Sequence, residues 1–483
     1  LKPFWLTGSF LPSPVACRCP DVQTAEDLTL KCAQMAGGVL SVPEQETKAL
    51  YSSGPPCGLP VEATIAHRSP LDVRAAELLV APAESQGTDQ ICCPFEGGGV
   101  AVPSLPRSCS QDAGMVAEPL AELDRMLEKA VSSGDVPGLA YAILKDGKVV
   151  QSRALGVSDL ETQKPWRFDT LCRLYSMTKS VAVCGLMVLV EEGLVSLGDP
   201  ISKYLPAFAR QKLRVVPDDS VVSAEAHHAA PNSDITVKHL LTHCSGLSYG
   251  PPMGDDPTCA TEEAYQPLIA RVDHGAIADL EQWCSELAAL PLRFQPGERW
   301  EYSYGIDVLG RVMEVVSGQP LDVFLQERVL TPLGMHDTAF ALPEEKRWRL
   351  ASFYRRLEDG RLECVDSAAG SRWLGSQRVL SAGGTVGSIA GGLVSTLDDF
   401  ARLCSMLQRG GELDGIRVLR EETVRLMGEN LLPEMTGRVE SWCLETAGLG
   451  FGILGSVATA HAETNWYDVP GEIGWGGPAG AAL

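Results

Sequence analysis

The sequence predicts an α+β protein, an antiparallel sheet flanked by helices with a mostly helical region inserted between its two parts. Three observations predict it. An amphipathic helix leads into a hairpin signal rather than into a crossover to a parallel strand. A long stretch at 177–192 is apolar on nearly every side and belongs at the centre of a domain. Strand-like runs then reappear only at 449–454 and 472–475, where they are expected to return to the first sheet.

The elements follow in chain order. Leu120, Leu123, Leu127 and Val131 are spaced to form one apolar helix face, which Gly134 and Pro137 end. Apolar runs at 139–144 and 149–154 flank Lys145-Asp146-Gly147-Lys148. Asp-Gly between two such runs signals a tight hairpin, because both central residues take positive φ. The buried helix at 177–192 has Gly193 placed as its C-terminal cap. Helical patterns at 235–243, 267–290, 304–317 and 321–329 make up the middle. The glycine-rich run 383–392 leads into a further helix at 393–408. A cleft between the sheet and helical parts is the default site.

Composition narrows the function. The chain has 483 residues, 45% hydrophobic and 21% charged, which fits a globular protein. Lys and Arg number 40 against 62 Asp and Glu, a net charge of −22. That charge argues against nucleic acid and anionic membranes as partners. The longest apolar run, 181–190, is too short to span a bilayer. No basic start, apolar run and small-residue cleavage site marks the beginning, so a cytoplasmic location is favoured, although a first residue Leu1 suggests a processed or partial start. The 15 cysteines are odd in number; Cys172, Cys184 and Cys404 read as core residues of a reducing compartment. Residues 1–113 hold 13 of the 32 prolines and 7 of the 15 cysteines and read as an extension, with short helices at 26–35 and 73–80. Cys17-Arg18-Cys19 and Cys92-Cys93 lack zinc-site spacing. The main domain is placed at 114–483, with sheet parts at about 114–175 and 375–483 and the helical part at about 176–374.

Chemistry concentrates at Ser176-Met177-Thr178-Lys179, which opens the buried helix. Residues three apart share a helix face. Ser176 lies where free backbone N–H groups favour negative charge, and Lys179 lies one turn deeper. Desolvation lowers a lysine pKa, so a neutral Lys179 can take the serine proton. The bland alternative is that Ser176 is a plain helix cap. No other serine of the chain stands three residues before a lysine.

Leu174-Tyr175-Ser176-Met177-Thr178-Lys179-Ser180 is followed by Gly193-Leu194-Val195-Ser196-Leu197-Gly198-Asp199-Pro200-Ile201 and Ile235-Thr236-Val237-Lys238-His239-Leu240-Leu241-Thr242-His243. Then come Gln295-Pro296-Gly297-Glu298-Arg299-Trp300-Glu301-Tyr302-Ser303, Pro332-Leu333-Gly334-Met335 and Gly391-Gly392-Leu393-Val394-Ser395-Thr396. In this order, over about residues 118–480, the chain resembles the serine β-lactamase and penicillin-binding-protein superfamily. It looks most like the class C-related branch that includes family VIII carboxylesterases. The resemblance implies a β-lactamase/transpeptidase-like fold, with Ser176 as nucleophile, Lys179 as its base and Tyr302 as a second proton handler. It places Trp475-Gly476-Gly477 on the strand that lines the cleft, where the family has Lys-Thr-Gly. Tyr304 stands where the family's Tyr-x-Asn motif has its asparagine.

Both departures point away from β-lactams and cell-wall peptides and toward neutral esters. The implied reaction is hydrolysis of a small-molecule carboxylic ester through an acyl-enzyme, with no metal or cofactor. The alternatives are acyl transfer from the same intermediate, a catalytically silent binding module, and a β-lactamase or D-peptidase. Pro478 falls where the family supplies an oxyanion-hole N–H, which proline lacks; a shift of one residue would present the N–H of Ala479. The family continues with further strands and a closing helix, so the resemblance implies that the sequence stops short at Leu483. Gly246-Leu247-Ser248-Tyr249-Gly250 matches a nucleophile elbow, but a helical pattern precedes it and Pro251-Pro252 follows, so Ser248 reads as a decoy. His239 and His243 share a helix face without the adjacent glutamate of a zinc motif and read as structural. His227-His228 reads as solvated loop, and the oligomeric state is left open.

Overall fold

A computed structural model describes residues 4–7, 9–10, 105–210, 213–215, 229–251, 257–357, 359–367, 381–384, 392–432, 449–459, 469–477 and 482. All of them belong to one compact unit made of 1–39 and 99–483, whereas a second unit, 40–98, lies outside them. The expected helices at 26–35 and 73–80, the cysteine pairs near the start, His227-His228, Pro478 and Ala479 also lie outside the described residues.

The main sheet is built on the expected hairpin. Strands β1 (Phe4–Thr7), β3 (Gly138–Lys145), β4 (Lys148–Asp159) and β5 (Lys164–Pro165) pair antiparallel in that order. Asp146 and Gly147, at φ 52° and 72°, make the two-residue turn between β3 and β4. Period-two alternation splits β3 between two cores. Leu139, Tyr141 and Ile143 pack beneath helix α1 (Ala117–Ser132) with its Leu120, Leu123 and Leu127. Ala140, Ala142 and Leu144 face the main core on the other side.

Strand β2 (Ser9–Phe10) runs parallel to β7 (Phe353–Arg356), which pairs with β8 (Leu362–Asp366). Thus backbone from the very start of the chain is hydrogen-bonded into both sheets.

Helix α2 (Thr178–Glu191) runs through the main core, and twelve of its residues are buried. Helices α3 (Val237–Leu241), α4 (Ala260–Asp273), α5 (Leu280–Leu287), α6 (Gly305–Ser317) and α7 (Leu321–Leu325) form the helical part. Gly305 lets α6 approach α3 closely, since a Cβ there would lie 2.7 Å from the Leu240 carbonyl oxygen.

Several boundaries differ from the sequence reading. The stretch 267–290 is two helices, because Gly275, at φ 68°, ends one and the Asp279 side chain caps the next. The helix expected at 235–243 is a short one, held by reciprocal bonds between Thr236 and His239. The run at 393–408 divides into strand β9 (Val394–Ser395), paired with β6 (Cys172–Arg173), and helix α8 (Leu397–Gln408), capped by Thr396. A small hairpin, β10 (Glu412–Leu413) and β11 (Ile416–Arg417), leads to α9 (Glu421–Met427).

The last strands do not rejoin the first sheet. β12 (Leu449–Phe451), β13 (Ser456–Ala458) and β14 (Ile473–Gly474) form their own antiparallel sheet. In the first sheet β3 has β4 on one side and β1, from the far end of the sequence, on the other. Among the described residues no helix is long and apolar enough to cross a membrane.

Candidate active site

The segment before α2 is held from both sides. The β6–β9 pair fixes the chain up to Arg173, and Leu174 N–H donates to the Leu393 carbonyl at 2.9 Å. The Thr178 side chain accepts from Leu393 N–H at 2.9 Å. Tyr175 takes a left-handed conformation, φ 47°, and a single 3-10 turn, Tyr175–Met177, then carries Ser176 into α2.

Three side chains named from the sequence converge here. Tyr302 OH donates to Ser176 Oγ at 2.8 Å. Lys179 Nζ lies 4.6 Å from the centre of the Tyr302 ring. Ser176 and Lys179 are each 5% exposed and Tyr302 is 7% exposed, so the centre is nearly dry.

Two further partners of Lys179 were not named from the sequence as site residues. Nζ donates to Tyr249 OH at 3.1 Å and to the carbonyl oxygen of Gly383. Tyr249 belongs to the very motif that mimics a nucleophile elbow. No strand precedes that motif, and the buried Ser248 Oγ accepts a hydrogen bond from Gly250 N–H at 3.0 Å. Its hydroxyl closes a loop turn while its neighbour's phenol reaches the lysine.

Trp475 directly follows β14 and packs against Tyr302 and Phe451, with ring centres 5.2 and 5.3 Å apart. With Cys244 and Trp300 these rings form a buried aromatic cluster, flanked by Tyr249 and Leu432. The indole N–H groups of Trp300 and Trp475 are buried and have no hydrogen-bond partner among the described residues. Gly477 lies against the loop that carries Ser176: a Cβ there would be 2.6 Å from the Leu174 carbonyl and 3.6 Å from Ser176 N. Gly476 forms a bridge to Ala482.

Tyr304, expected at the family's asparagine position and so among the substrate-binding residues, is instead packed into the helical core. It is 1% exposed, with ring centres 4.3 Å from Tyr249 and 5.0 Å from Trp283. Burial pushes its phenol well above the ordinary range. It forms the layer behind Tyr249, because the turn into α6 points it into the helical core.

The histidines have structural partners. His239 Nδ1 accepts from Thr236 N–H in the cap of α3. His243 Nδ1 accepts from Ser303 N–H at 3.3 Å, and its ring meets Tyr302 edge-on at 4.7 Å. Burial, then the charge of Lys179, holds His243 well below its usual range, so it is a neutral wall beside Tyr302. Among the described residues no group of three His, Cys, Asp or Glu is arranged to hold a metal ion.

A serine at the start of a buried helix thus stands with a lysine one turn on and a phenol on its oxygen, as the sequence resemblance led one to expect. The family model described as Beta-lactamase matches residues 123–483, and the chain belongs to that family. It is 34% identical over 362 residues to protein Rv1367c of Mycobacterium tuberculosis, covering 73% of this chain and 84% of that one. It is also 34% identical over 244 residues to esterase EstB of Burkholderia gladioli, covering 50% of this chain and 56% of the esterase. Among solved structures, EstCE1, a hydrolase with promiscuous acyltransferase activity, superposes with a TM-score of 0.57 at 26% identity, covering 75% of this chain and 93% of EstCE1. The chain is a β-lactamase-related serine hydrolase.

Proposed function

We propose that the chain hydrolyses small-molecule carboxylic esters, with Ser176 as nucleophile and Lys179 and Tyr302 as proton handlers. One observation carries this reading: Tyr302 OH stands 2.8 Å from Ser176 Oγ while its ring lies against Lys179 Nζ. Ser176 Oγ attacks the ester carbonyl carbon, and its proton passes to the Tyr302–Lys179 pair. The carbonyl oxygen becomes an oxyanion beside Ser176 N–H and the Gly477 backbone. Collapse breaks the bond to the alcohol oxygen, which leaves with the proton held by the pair. Water then attacks the acyl-enzyme, the same pair takes its proton, and Ser176 is regenerated as the acid departs.

The aromatic cluster supports an uncharged acyl group. Trp300, Tyr302, Phe451 and Trp475 wall the site, and none of these residues carries a charge. Trp475 stands where the resemblance places the family's lysine, and an indole at that position offers no cation to a substrate carboxylate. The esterase and hydrolase named above support the same direction. Acyl transfer is the second reading, favoured by the transferase activity in the EstCE1 description; it differs only in an alcohol replacing water.

Hydrolysis of a short-chain 4-nitrophenyl ester tests the proposal. Activity is expected in the wild type, lost in Ser176→Ala and kept in Ser248→Ala. Activity that survives Ser176→Ala would refute it. Faster nitrophenol release on adding an alcohol, with ester product formed, would favour the transfer reading.

A further inference from the structure

We infer that Asp307 is a positioning residue for Lys179, holding the carbonyl that the lysine donates to and setting a buried negative charge opposite it. The inference rests on the reading of Lys179 as the base.

Asp307 is the third residue of α6, set between Ile306 and Val308 and fully buried. Its Oδ1 accepts from Ser381 Oγ at 2.5 Å and from Gly383 N–H at 3.0 Å. The carbonyl of the same glycine accepts from Lys179 Nζ. One residue, Gly383, thus joins the carboxylate to the amine. Its approach demands glycine, since a Cβ would lie 2.1 Å from Asp307 Oδ2.

The arrangement costs stability for its own sake. Asp307 Oδ2 is buried without a hydrogen-bond partner among the described residues. A carboxylate in a dry interior is expensive unless a charge compensates it. Burial raises Asp307 to about 6, and the Lys179 charge and the bonds from Ser381 and Gly383 oppose that rise. Among the described residues, Cys284 on α5 and Tyr304 at the start of its own helix are also coupled to it. Burial pushes both well up, so both stay neutral and Lys179 is the charge that answers Asp307. A cap for the Ser381–Gly383 turn would need the hydrogen bonds alone. A charged partner also alters how readily Lys179 gives up its proton, which is the property a base must have set.

The test is the pH dependence of ester kcat/KM, and of fluorophosphonate labelling, in the full chain and in Asp307→Asn, Ser381→Ala and the core control Val312→Ala. Asparagine keeps an acceptor for Ser381 and Gly383 and removes the charge. The acid limb should move to lower pH by about one unit in Asp307→Asn, because the ammonium loses its counter-charge. Ser381→Ala, which disfavours the ionised carboxylate, should move it the same way by less. Val312→Ala should leave it in place, with KM of every variant within about twofold of wild type. An acid limb in Asp307→Asn that coincides with wild type overturns the inference. If circular dichroism shows that variant unfolded, a coincident limb in Ser381→Ala overturns it instead. A wild type that is neither labelled nor active would remove the proposed reaction, and this inference with it.

Discussion

The Tyr302 hydroxyl donates to Ser176 Oγ at 2.8 Å from a ring whose centre lies 4.6 Å from Lys179 Nζ. The tyrosine therefore reaches both Ser176 and the Lys179 amine. Removing only its oxygen isolates proton transfer from packing. Tyr302→Phe should lower kcat by about 10²- to 10⁴-fold with little change in KM and an unchanged circular dichroism spectrum. Steady-state ester kinetics check this; a variant with more than about a tenth of wild-type kcat would contradict it.

Tyr249 is the second phenol on Lys179, with OH to Nζ at 3.1 Å. Its hydroxyl accepts from the Lys179 amine. Tyr249→Phe should cost about tenfold in kcat/KM, the scale of one charge-assisted hydrogen bond, and less than Tyr302→Phe. Equal losses in the two variants would assign Tyr249 a share in the proton transfer itself.

Trp475 brings both a wall and an indole N–H that has no partner among the described residues. Trp475→Phe keeps most of the wall and removes the donor. If that N–H bonds to bound substrate, kcat/KM should fall by about tenfold while thermal stability stays near wild type. Unchanged kcat/KM would limit Trp475 to packing.

Asp399, in the first turn of α8, gives a pH dependence of stability. Burial raises its carboxyl to about 6, although Thr338 Oγ1 and Asp337 N–H donate to it at 2.9 and 2.7 Å. A folded-state pKa above the unfolded value near 3.8 means that the fold favours the protonated form. Its contribution is fully present below about pH 3.8 and is lost as the pH rises to about 6. Asparagine can accept the same two bonds without a charge. Asp399→Asn should therefore melt higher than wild type at neutral pH and close to it near pH 4. Thermal melts across pH check this, and a lower melting temperature at neutral pH would contradict it.

The placing of Ser176 and Lys179 together was legible because its signal is local. Ser176 and Lys179 are three residues apart at the start of a helix whose burial shows in its composition. The β3–β4 hairpin was legible for the same reason, since Asp146-Gly147 fixes its own turn. What the sequence hid depends on distant pairing. Nothing near 449–475 says that β1 already occupies the open edge of β3. Tyr249 was hidden by its setting, because the motif around it draws attention to Ser248 and only the tertiary fold brings the phenol to Lys179. Asp307 left a faint signal, one carboxylate within the apolar run Gly305-Ile306-Asp307-Val308-Leu309. The start of α8 was misread for a different reason. Leu393 and Val394 continue the apolar pattern backwards, and the cap Thr396, three residues before Asp399, was the better boundary mark.

The most direct test of the account is to treat the protein with a fluorophosphonate and locate the adduct by peptide mass spectrometry. The account predicts one adduct, on Ser176, absent in Ser176→Ala and formed far more slowly in Tyr302→Phe. An adduct on Ser248, or an unmodified Ser176 in a folded wild-type chain, would contradict it.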